Sequence, residues 1–181
     1  MNWNTFIIGF DTCGIFVLFI YGIIQLYLKV KPQIVRLISR VQYFYYQPNE
    51  NDCGDCAIRA FTKVLNISWL EAFDLLTEYA REKRLVFSCR DSIIKLLIDK
   101  EFLVIDIKNQ KLTFCQVVKK YGYRSGLNGV KFMLIAHNHM CAAETNRIYD
   151  SWDSRTEMCE YMILPKGKYP WLDKEFRQNK K

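Results

Sequence analysis

Nothing in this 181-residue chain repeats, and no tract is of low complexity. Solenoids and repeat arrays are therefore excluded. Regular cysteine spacing is missing too: the seven cysteines, at 13, 53, 56, 89, 115, 141 and 159, are odd in number and irregularly placed. That argues against a disulfide scaffold and for a reducing compartment with one functional thiol. The net charge is +7, yet there is no basic stripe interleaved with aromatics inside the domain. The excess sits after the first hydrophobic segment and in the C-terminal tail, so nucleic acid is not expected as a partner. Half the residues are hydrophobic, enough for one domain with a real core.

Acidic residues are absent between Asp11 and Glu50. Within that gap and just before it lies the longest apolar run, Thr5 to Leu28, with only Asp11 and Gln25 strongly polar. Its 24 residues suffice to cross a bilayer as a helix. Fourteen Leu, Ile, Phe and Val residues outweigh one off-centre Asp, which costs about 3 kcal/mol at most. The segment MNWNT carries no positive charge and no small-x-small site follows, which disfavours a cleaved signal peptide. Lys29, Lys31, Arg36 and Arg40 come next. By the positive-inside rule this flank stays in the cytosol. The expectation is a single-pass membrane anchor over residues 1–30, a basic juxtamembrane segment over 31–46 and a globular part facing the cytosol. Residues 32–46 fit either a surface helix or a lead-in strand. The polar turn at 47–51 marks the expected boundary of a domain spanning 47–165, and a loose basic tail follows over 166–181.

The domain reads helices first. Ala57, Ala60, Phe61, Val64 and Leu65 share one face of a helix over 56–66. Ser68 and Glu71 form a capping box that starts a second helix, running to about Lys83. A third helix starts near Asp91, and a fourth runs from a Thr113 cap to a Gly122 stop. A strand is expected over 102–107. Four more are expected over 130–136, 139–143, 147–152 and 158–164, with a hairpin turn at 144–146. This order predicts an α+β fold with N-terminal helices packed on a C-terminal antiparallel sheet.

Chemistry concentrates at three places. Cys56 opens the first helix of the domain, where the helix end favours a thiolate. His139 opens a strand, and Asp150 ends the next one, 11 residues later. A thiol, a base and an acid that orients the base are what nucleophilic amide cleavage needs. Alternatives stay open at each position. Cys53 is an alternative nucleophile, because its spacing from Gln47, six residues before it, resembles that of the nucleophile and oxyanion glutamine in papain-like cysteine peptidases. His137 shares an expected strand face with His139, and Asp153 is an alternative acid. The oxyanion donor would be the Cys56 backbone N–H with the side chain of Asn51 or Gln47. Zinc chemistry would join Cys53, Cys56, His137 and His139. Only one CxxC occurs, however, and His-x-His is not the usual second half of such a site, so no metal and no cofactor is expected. A redox CxxC would call for a βαβ pattern that is not here.

The stretch Cys53-Gly54-Asp55-Cys56-Ala57 resembles the Cys-Gly-Ser-Cys-Trp segment of papain-like cysteine peptidases. The combination Asp55-Cys56-x-x-Arg59-Ala60, Ser68-Trp69, His139 and Tyr149-Asp150-Ser151-Trp152-Asp153-Ser154 is more closely similar to a group of small papain-like proteins from phages and bacteria. The likeness runs from about Asn51 to Leu164 and leaves out the expected anchor. It implies a papain-like fold, with the nucleophile Cys56 on a core helix and His139 on the facing sheet. The expected activity is hydrolysis of a peptide, isopeptide or other amide through Cys56, His139 and Asp150. A catalytically inactive binding module at the membrane and an acyl transferase of transglutaminase type are the alternatives. The expected partners are a peptide or protein substrate and, through the N-terminal helix, the membrane.

Overall fold

Five consecutive residues, Lys131–Ile135, form a strand buried over all but its first residue. Side chains alternate across a strand, so a run this apolar needs cover on both faces of its sheet. The computed structural model, which describes residues 20–27, 40–48, 54–124, 126–167, 169 and 171–172, provides that cover. Phe132 and Leu134 enter one core and Met133 and Ile135 another.

The chain divides into two compact units, Met1–Arg40 and Val41–Lys181. Of the first, residues 20–27 and Arg40 are described; residues 20–27 are helical, with Ile20, Ile23, Ile24 and Leu26 exposed. The rest of the expected membrane span lies outside the described residues. Among the described residues no helix is long and apolar enough to cross a membrane.

Among its described residues the second unit holds six strands: β1 (Gln42–Tyr45), β2 (Leu103–Asp106), β3 (Lys131–Ile135), β4 (Met140–Glu144), β5 (Arg147–Asp150) and β6 (Tyr161–Leu164). They form one sheet in the order β1-β5-β4-β3-β6-β2. Its helices are α1 (Cys56–Leu65), α2 (Trp69–Lys83), α3 (Arg90–Asp99) and α4 (Phe114–Tyr121). The result is the expected mixture of helices and sheet, with three differences of detail. The sheet is not wholly antiparallel, because β1 runs parallel to β5. That strand lies in the stretch expected to be juxtamembrane, where a lead-in strand is one of the two sequence readings, and the unit that carries it starts at Val41 rather than Gln47. The stretch from Lys166 is not simply loose, since Tyr169 and Trp171 are buried and Trp171 stacks on Tyr121 of α4 at 5.3 Å.

Helices α1, α2 and α3 cover one face of the sheet through Ile58, Phe61, Leu76, Ile93, Leu96 and Leu97. Helix α4 covers the other face through Phe114, Val117, Val118 and Tyr121. Each fully buried side chain of this size contributes roughly 1.5–3 kcal/mol. The caps follow local chemistry. Ser68 and Glu71 close the capping box of α2, and Thr113 with Gln116 closes a second one on α4. Gly122 does end α4, but not through a left-handed turn: its φ is −57°. Glycine is needed there because an added Cβ would lie 1.6 Å from the Thr145 carbonyl oxygen. That oxygen belongs to the turn between β4 and β5, so Gly122 lets α4 seat against the hairpin that ends at Asp150.

Candidate active site

Cys56 is the first residue of α1. The residue before it, Asp55, sits at the cap position yet makes no side-chain cap hydrogen bond. Its carboxylate is used elsewhere: Oδ2 accepts from Trp69 Nε1 at 2.7 Å, and Oδ1 takes Arg59 Nη1 in a tight ion pair. Among the described residues the first-turn amides of α1 are thus left without a side-chain cap, and no acidic residue occupies that turn. An uncapped N-terminus keeps its partial positive charge for the thiol.

His139 comes from a tight hairpin between β3 and β4. Ala136 N–H donates to the His139 carbonyl at 2.8 Å, which leaves His137 and Asn138 at the tip. Asp150 is the last residue of β5, and the pairing of Ala142 with Tyr149 and Ala143 with Ile148 fixes its register on β4. The outcome is a short hydrogen bond, His139 Nε2 to Asp150 Oδ2, of 2.5 Å. Both side chains are shielded, at 11% and 1% exposure. Trp152 lies over the imidazole with ring centres 4.8 Å apart.

Asp150 is itself held from three sides. Ser154 Oγ donates to Oδ2 at 2.5 Å, the Ser151 N–H donates to Oδ1 at 2.8 Å, and Arg59 Nη2 lies 3.8 Å from Oδ1. Arg59 therefore joins Asp55, next to the thiol, to Asp150, behind the imidazole. A buried arginine between two buried carboxylates accounts for an ionic residue inside α1. Burial disfavours the His139 imidazolium. The hydrogen bond to Asp150, the side-chain interaction with Cys56 and the charge of both outweigh burial, and its pKa rises from 6.5 to about 9.

The other described cysteines differ in setting. Burial pushes Cys141 well above the usual thiol range and Cys159 up to about 12, so both stay protonated. Cys115 is half-buried, and Cys89 is exposed. Cys56 is half-buried and free, and with His139 it lines an open cleft of about 400 Å³. Phe87 to Asp91, at the start of α3, line the same cleft.

The structure thus joins three of the expected residues, Cys56, His139 and Asp150, at one site. His137 also lines the cleft but does not share a strand face with His139; it is at the hairpin tip, 76% exposed, with Nδ1 3.7 Å from Glu160. Others are kept apart from the site. Asp153 does not reach the imidazole, because its carboxylate is taken by Arg155 at 2.7 and 2.8 Å. Gln47 is half-buried after β1 and is not among the residues lining the cleft. Cys53 and Asn51 lie outside the described residues. Among the described residues no group of three or more His, Cys, Asp or Glu is placed to hold a metal ion. Sequence reading missed the roles of Trp69 and Ser154, although both fall inside the quoted motifs. It also missed the wall around Arg90, for which no motif signal exists.

No protein-family model, curated protein or solved structure matches this chain.

Proposed function

We propose that this protein is a thiol hydrolase that cleaves an amide bond, peptide or isopeptide, through Cys56, His139 and Asp150. The observation that carries the reading is the shielded His139–Asp150 hydrogen bond, beside a free thiol on an uncapped helix N-terminus in an open cleft. A helix N-terminus against a sheet that supplies the base and the acid is the arrangement the papain-like reading calls for.

The residues divide the work as follows. Asp150 stabilises the imidazolium and fixes the ring, using Nε2 and leaving Nδ1 for the thiol. The Cys56 thiolate attacks the carbonyl carbon, and the oxygen that gains charge is met by the Cys56 N–H at the helix end. His139 gives its proton to the departing amine, and a thioester remains on Cys56. Water then attacks the thioester, His139 takes its proton, and the thiol is released as the carboxylic acid leaves. An amine in place of water would make the same site a transferase. Ser154, Ser151 and Arg59 hold Asp150 still and touch no substrate. On the same reading, residues 5–28 anchor the chain and the flanking lysines and arginines keep the domain on the cytosolic side.

The test is alkylation of the full chain by iodoacetamide across a pH series, with each modified cysteine identified by peptide mass. Cys56 should label selectively well below about pH 8.5, the ordinary thiol pKa, and His139→Ala should abolish that selectivity. Labelling of Cys56 no faster than exposed Cys89 would sink the proposal. Selective labelling of Cys53 would move the nucleophile. Active protein would then be screened against fluorogenic amides, with and without an added amine acceptor.

A further inference from the structure

The cleft that holds Cys56 also carries a cation whose hydrogen-bonding capacity is only partly used. Arg90 lies in the first turn of α3 and lines the cleft. Glu160 Oε2 accepts from Nη1 at 2.6 Å, and His137 Nδ1 lies 3.4 Å from the same nitrogen. Asp91 Oδ1 is 3.6 Å from Nε, beyond good hydrogen-bond length, and Nε is buried without a hydrogen-bond partner. Among the described residues Nη2 has no partner at all. Glu160 therefore fixes the guanidinium by one nitrogen and leaves the other for a ligand.

That free nitrogen suits a negative ligand. Among the described residues the acids that line the cleft are Asp55 and Asp91. The carboxylate of Asp55 is spent on Arg59 and Trp69, and Asp91 is 80% exposed. Asn138 and Ser88 also line the cleft and make no side-chain hydrogen bond among the described residues. Ile58, Leu76, Phe87, Ile93 and Met140 line the same cleft. A forked cation and an apolar lining in the cleft that holds the reacting thiol suit a carboxylate on an apolar stem.

We propose that Arg90, assisted by Asn138 and Ser88, is the specificity-determining group of this cleft and selects amides that carry a carboxylate near the scissile bond. This rests on the amide-cleaving reading above. The carboxylate belongs either to an acidic side chain or to a free chain end, and both present the same two oxygens to the guanidinium.

Three alkylating probes on one skeleton separate the sources: iodoacetyl-glutamate α-amide, iodoacetyl-glutamine with a free α-carboxylate, and the neutral iodoacetyl-glutamine α-amide. The rate at Cys56 in the full chain is read for each, relative to the neutral probe and to the same ratio on a free thiol. One acidic probe should be favoured about tenfold or more, the scale of a charge-assisted hydrogen bond. Which one identifies the source. Arg90→Gln should bring the ratio to that of the free thiol, and Arg90→Lys should keep part of it. Equal rates for all three probes, or a preference that survives Arg90→Gln, would overturn the assignment. A second measurement does not need a reactive thiol. In Cys56→Ala, N-acetyl-glutamate amide or N-acetyl-glutamine acid, but not the neutral amide, should shift the Asn138 side-chain NMR signals. If Cys56 proves inert while that shift occurs and is lost in Arg90→Gln, the hydrolase reading fails and the carboxylate site stands. If no acidic ligand gives a shift, the carboxylate site is refuted.

Discussion

Replacing Asp150 by Asn tests the electrostatic core of the site without changing its shape. In the wild type, His139 is held near pKa 9 against an ordinary 6.5. A rise of that size corresponds to about 3 kcal/mol of preference for the imidazolium. Allowing for solvent screening at a ring that is 11% exposed, about 2 kcal/mol remains usable. The folded-state pKa lies above the unfolded one. This stability is therefore fully present below about pH 6.5 and is lost as pH rises through about 9. In Asp150→Asn the carboxylate term disappears while burial, which lowers the pKa, stays. His139 should then titrate far below its wild-type value, and the stability difference across that window should flatten. Two assays read this: imidazole NMR titration, and urea unfolding at pH values on either side of the window. Wild type should lose about 2 kcal/mol more than the variant between the two. The same variant should lose the selective labelling of Cys56 at neutral pH. A His139 titrating near 6.5 in both proteins, with parallel stability curves, would refute the coupling of imidazole to carboxylate.

Two further substitutions examine what supports that pair. Arg59→Met leaves Asp55 buried without its cation and removes the link to Asp150. Breaking a buried pair from one side costs about 3–5 kcal/mol, so the urea midpoint should fall sharply; a change under about 1 kcal/mol would mean that water already satisfies Asp55. Gly122→Ala forces a Cβ into the Thr145 carbonyl. Overpacking of this kind costs about 2 kcal/mol or more, a fall of roughly 6 °C or more in melting temperature for a domain of this size. An unchanged melting curve would show that α4 and the β4–β5 hairpin slide apart freely.

The sequence was most legible where local rules act. Ser68 and Glu71, and the Thr113 cap, gave the starts of α2 and α4, because capping involves residues only three apart. Cys56 as the first residue of α1 follows from periodicity that begins there. Reading failed where a residue's partner is distant in the chain. The parallel pairing of β1 with β5 joins residues more than a hundred positions apart, and residues 42–45 carry no pattern that announces it. By strand periodicity alone, His137 and His139 look equivalent. A two-residue hairpin tip, closed by the bond from Ala136 to His139, exposes one and turns the other onto Asp150. Asp153 was a reasonable rival until Arg155, two residues on, was seen to hold it.

By itself, the sequence determined the local elements and named the three groups of the candidate site, because helix starts, strand ends and reactive side-chain types are written in neighbouring residues. Only the tertiary structure decided how those groups are held: Arg59 bridging two buried acids, Ser154 behind Asp150, Trp152 against His139, and Arg90 in the cleft that holds the thiol. Those relations depend on which faces of the sheet and helices meet. That choice is made by packing the whole apolar surface at once, which no short stretch of sequence records.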